Sequence, residues 1–66
     1  EFVQLTIYNV LGEKIMTLVN NQQNAGYKSV TWNGFDNSGI NMGAGMYFYV
    51  LEAGNFRQVK KMILLK

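Results

Sequence analysis

Residues Phe2 to Tyr8 alternate, with Val3, Leu5 and Ile7 on one side and Gln4 and Thr6 on the other, the two-residue period of a half-buried β-strand. Asn9-Val10-Leu11-Gly12 reads as a turn ending on glycine. Lys14 to Val19, β-branched at Ile15, Thr17 and Val19, reads as the returning strand of a hairpin. A helix over Leu11 to Val19 is the weaker reading, because no capping residue precedes it and β-branched side chains interrupt it. The amide-rich stretch Asn20 to Gly26 predicts a loop, followed by a third strand over Tyr27 to Trp32. Asn33-Gly34 ends that strand, and Asp36-Asn37-Ser38-Gly39 has the residue types of tight turns. After Gly43-Ala44-Gly45, Met46 to Ala53 is the strongest strand pattern in the chain. Gly54-Asn55 then predicts a two-residue hairpin turn of type II′, with Phe56 to Leu65 as the last strand.

This pattern predicts an all-β domain of about five antiparallel strands with no helix and no internal repeat. Two hairpins joined by longer connections fit an immunoglobulin-like β-sandwich, since a lone flat sheet would leave an apolar face in water. The predicted core is Val3, Leu5, Ile7, Ile15, Leu18, Val30, Trp32, Tyr47, Tyr49, Leu51, Met62 and Leu64. Tyr47 and Tyr49 share one face, so Phe48 falls on the other, exposed or covered by a partner. In the last strand, Lys60 and Lys61 are adjacent, and both point outward only if a bulge intervenes.

Composition narrows the functional classes. With 66 residues there is room for one domain, small enough that such folds usually lean on disulfides, metals or partner chains. The chain has no cysteine and no histidine, so neighbouring chain is the expected support. A net charge of +2, with Arg57, Lys60, Lys61 and Lys66 towards the C-terminus, falls short of the dense basic surfaces of nucleic-acid readers. Apolar runs are strand-sized, and Glu1-Phe2-Val3 has none of the features of a signal peptide. The abrupt start in a strand pattern predicts a fragment of a longer protein.

No catalytic set can be assembled. Ser29 or Ser38 would need a lysine base, and Glu1, Glu13, Asp36 and Glu52 have no spacing that pairs them. No cofactor is expected. Asn33, Asp36, Asn37, Ser38 and Asn41 offer oxygens of the kind calcium takes, but a single carboxylate among them favours turn chemistry, and no metal is assigned. The aromatic residues, dense for so short a chain, leave open a carbohydrate-binding surface, with core packing as the simpler explanation.

Leu5-Thr6-Ile7-Tyr8-Asn9-Val10-Leu11-Gly12, Gly26, Val30-Thr31-Trp32-Asn33-Gly34, Asp36-Asn37-Ser38-Gly39, Gly45-Met46-Tyr47-Phe48-Tyr49 and Lys61-Met62-Ile63-Leu64-Leu65-Lys66 follow one another in a characteristic order. Together they resemble the C-terminal sorting domains of proteins exported by the type IX secretion system, and the related immunoglobulin-like domain of the flagellar hook-capping protein. The resemblance covers essentially all of residues 1–66 as one domain. It implies a sorting or anchoring module of a secreted or surface protein of a Gram-negative-type bacterium, read by outer-membrane export or anchoring machinery. Lys61 to Lys66 corresponds to the terminal recognition strand, which a partner would read by strand addition. Family members usually begin with about two further strands, often with a proline-containing motif, and a sandwich of about seven strands needs them. This chain has no proline. Incompleteness at the N-terminus, with a homodimer or strand complementation to compensate, is the expectation. A structural hook-cap-type domain, or an accessory domain of a surface enzyme, is the alternative.

Overall fold

The computed structural model describes residues 1–22 and 31–65. Four strands form one antiparallel sheet: β1 (Phe2–Tyr8), β2 (Lys14–Gln22), β3 (Gly45–Ala53) and β4 (Phe56–Leu64). Their order across the sheet is β2-β1-β3-β4, so β1 and β3 are central and β2 and β4 are edges. No helix occurs among the described residues, and the architecture is that of an incomplete immunoglobulin-like β-sandwich.

Local chemistry accounts for both hairpins. In the first, Asn9 Oδ1 accepts from the amides of Leu11 (3.0 Å) and Glu13 (2.9 Å), while its Nδ2 donates to Glu13 Oε1 at 2.8 Å. Gly12, at φ 84°, supplies the left-handed residue that closes the turn. In the second, Gly54 has φ 59° and Asn55 does not have positive φ, the combination that a type II′ turn requires and type I′ does not allow.

The strand β2 runs to Gln22, further than the predicted end at Val19. Asn20, Asn21 and Gln22 belong to it because they pair with Gln4, Val3 and Phe2, a cross-strand partnership that outweighs the loop preference of amides. Of the predicted third strand, 27–30 lie outside the described residues, as does Val30 of the predicted core. Thr31 and Trp32 lie in no strand.

Two register shifts between β1 and β2 leave Ile15 and Leu18 as extra residues. Strict alternation would send these two side chains to opposite faces; the bulges turn both, with Met16, onto the core. The core itself is Ile7, Trp32 and Tyr47, with Tyr49, Met42, Met62 and Leu64 packed against it. Leu5 and Leu51, predicted as core, oppose one another on the same face but are only half-buried. Between β3 and β4 the pairing is continuous from Ala53–Phe56 to Gly45–Leu64. No bulge separates Lys60 from Lys61: Lys60 lies opposite Tyr49 on the core face and Lys61 opposite Phe48 on the other. Both stay exposed because β4 is an edge, where a long side chain reaches water from either face.

Candidate functional site

The segment 31–44 crosses one face of the sheet and forms its cover. Trp32 is buried there, its ring meeting that of Tyr47 edge-on at 5.0 Å and 72°, and its Nε1 donates to the Phe35 carbonyl at 2.9 Å. Tyr47 Oη in turn donates to the Gly43 carbonyl at 2.7 Å. A strand residue and a loop residue thus fix each other. Asn37 N donates to the Ile15 carbonyl (3.1 Å), tying the cover to β2.

The oxygen-rich turn residues are brought together by this loop and have backbone partners. Asn33 Oδ1 accepts from the amide of Phe35, and Asp36 Oδ1 accepts from those of Ser38 (2.9 Å) and Ile40 (2.8 Å). Asp36 N also donates to the Ile40 carbonyl, Gly39 N donates to the Asp36 carbonyl, and Met42 N donates to the Gly34 carbonyl at 2.7 Å. Gly34 and Gly39 both take positive φ. Asn33, Gly34, Asp36, Asn37, Ser38 and Gly39 all lie in this loop, with side-chain turn bonds from Asn33 and Asp36, and Gly54 and Asn55 form the far hairpin turn. Trp32 is sequestered, so its indole cannot serve as a platform for a sugar ring.

The opposite face has no such cover among the described residues. Pairing places Tyr8 beside Phe48, and Val50 between Thr6 and Val59. Thr6 and Val50 are buried, whereas Val59 is 49% exposed. Tyr8, Phe48, Val50 and Val59 line a shallow groove of ≈ 390 Å³, continued at the first hairpin by Asn9, Val10 and Gly12 and at the other end by Arg57. Phe48, predicted exposed or partner-covered, is half-buried in it. The signal for this second apolar face was the unbroken run Met46 to Leu51, which lacks the alternation of a one-sided strand.

The predicted recognition strand is divided between the faces. Met62 and Leu64 pack against the core, Lys61 and Ile63 project from the open face, and Leu65 is exposed. Lys66 lies outside the described residues.

The family profile of the FlgD Ig-like domain matches residues 1–55. The chain belongs to the FlgD Ig-like domain family. This is a structural, non-catalytic domain family. The matched region takes in the first hairpin, the Trp32 cover and β3, and it stops where β4 begins. No curated protein and no solved structure matches the chain.

Proposed function

We propose that the chain is a non-catalytic structural module of the hook-cap immunoglobulin-like type, carried by a larger exported or surface protein and acting by docking. The observation that carries this reading is the inequality of the two sheet faces: one is sealed by the Trp32 loop, and the other carries an apolar groove that no described residue covers. A small domain that buries so few large side chains gains stability when a partner covers its second face. The family match supports the structural role and an extracellular setting. The test is Val59→Glu, which places a charge in the groove at a half-exposed edge position. The isolated chain is expected to keep its urea midpoint while the parent protein is lost from its assembly; retention of the variant at the wild-type level contradicts the reading.

Export sorting is the second reading, and β4 favours it. This strand lies beyond the matched region, forms an edge of the sheet, and exposes Lys60, Lys61 and Ile63 along it. An edge with unpaired main-chain groups is suited to strand addition by export machinery, an anchoring partner or a second copy, and lysines limit indiscriminate pairing. Removing 61–66 is a poor test because Met62 and Leu64 would leave the core. Replacing Lys60 and Lys61 with Glu and Ile63 with Ser leaves that packing in place. Sorting predicts that the full-length variant accumulates inside the outer membrane of its host; normal export contradicts it and leaves the structural reading standing.

A further inference from the structure

We infer that the open face of the sheet is a docking surface for an acidic polypeptide segment, in which an apolar side chain seats on Tyr8 and Phe48 between two carboxylates. The inference rests on the docking reading above and adds the chemistry of the partner. The strand registers align four residues in one row across all the strands: Lys14 opposite Tyr8, Tyr8 opposite Phe48, and Phe48 opposite Lys61. The row is cation, aromatic, aromatic, cation. With strands spaced at about 4.8 Å, its two lysine positions lie about 14 Å apart. An extended segment lying across the strands places residues i, i+2 and i+4 on one side, and i to i+4 spans about 13 Å. An acid at i, an apolar residue at i+2 and an acid at i+4 therefore match the row in both spacing and charge.

The remaining charges agree with this polarity. Farther along the face Arg57 stands opposite Glu52, so the face as a whole keeps an excess of positive charge. Among the described residues the other side-chain carboxylates lie elsewhere: Glu13 is held by Asn9, Asp36 is held in its turn, and Glu1 lies by Gly54 at the far hairpin. A second copy presenting the same face would set lysine against lysine, which disfavours a face-to-face pair on charge grounds. A neutral sugar makes no use of the lysines, and a uniform polyanion makes no use of the apolar groove between them.

The test uses three synthetic peptides with the pattern acid-Ser-Phe-Ser-acid, in which the acids are Glu, Gln as the neutral control, or Lys as the reversed control. Binding is followed at low ionic strength by NMR shifts of the Val50 and Val59 methyl groups. The Glu peptide is expected to bind about three- to tenfold more tightly than the Gln peptide, the range expected from two exposed ion pairs. The double charge reversal K14E/K61E is expected to transfer the preference to the Lys peptide, with Trp32 emission unchanged as evidence that the fold is intact. Equal binding of the Glu and Gln peptides overturns the inference while leaving a docking face in place. Displacement of the Glu peptide by dextran sulfate, itself unaffected by Val59→Glu, overturns the assignment to a polypeptide. Absence of shifts with every peptide also overturns the inference, and the docking reading is then judged by the retention of the parent's Val59→Glu variant in its assembly.

Discussion

Trp32 joins the loop to the sheet by packing, by its edge-on contact with Tyr47 and by donating to Phe35. Trp32→Phe keeps most of the packing and strands a partly buried carbonyl, so it is expected to lower stability by about 1–2 kcal/mol in urea denaturation. Trp32→Ala is expected to cost about 3–5 kcal/mol, enough to unfold a domain of this size at room temperature. Asp36 acts on the same loop by accepting from two amides. Asp36→Ala is therefore expected to cost about 1–2 kcal/mol and Asp36→Asn clearly less, because an amide oxygen still accepts. Added calcium is expected to leave the melting temperature of the wild-type chain unchanged; a rise would reassign the loop. The turn role of Asp36 and the burial of Trp32 were legible in residue type alone. That the indole would be spent on Phe35 was not, since the bond depends on a loop path that composition does not determine.

At the level of elements, turns follow from side-chain chemistry and registers do not. Gly12 has open space around it, with nothing within 4 Å of an added Cβ, so a substitution there feels only its φ of 84°. Gly12→Ala is expected to cost about 1–2 kcal/mol, Gly12→Asn less and Gly12→Val more, an order set by tolerance of the left-handed region and readable as urea midpoints. Equal costs for the three would place the turn in another conformation. The alternating pattern of β1 and the Gly54-Asn55 hairpin could be read directly from the sequence. The bulges of β2 could not, although assigning both Ile15 and Leu18 to the core already conflicted with strict alternation. The extension of β2 through Asn20, Asn21 and Gln22 also escaped the local pattern, because amide residues join a strand only when a partner such as Gln4 or Val3 is there to receive them. In β4 the edge position answers the question posed by adjacent lysines, since both faces are accessible from it.

For the whole molecule, the unequal faces matter more than the strand count. Ile7, 1% exposed, lies under the Trp32 cover, and Val59 lies across the sheet on the open side. The sequence showed the first face through Val3, Leu5 and Ile7. It showed the second only as an apolar run in β3, because Lys14 and Lys61, the two ends of the row through Tyr8 and Phe48, are aligned only by pairing across all four strands. The docking proposal requires this second face to be open in the isolated chain and covered when the module is in place. The absence of cysteine makes that directly measurable with single substitutions Ile7→Cys and Val59→Cys and a thiol-reactive probe. In the isolated chain, rapid labelling is expected at position 59 and slow labelling at position 7. In the parent protein assembled on its host, strong protection is expected at both. Labelling at position 59 that is equally fast in the two settings would contradict the proposal.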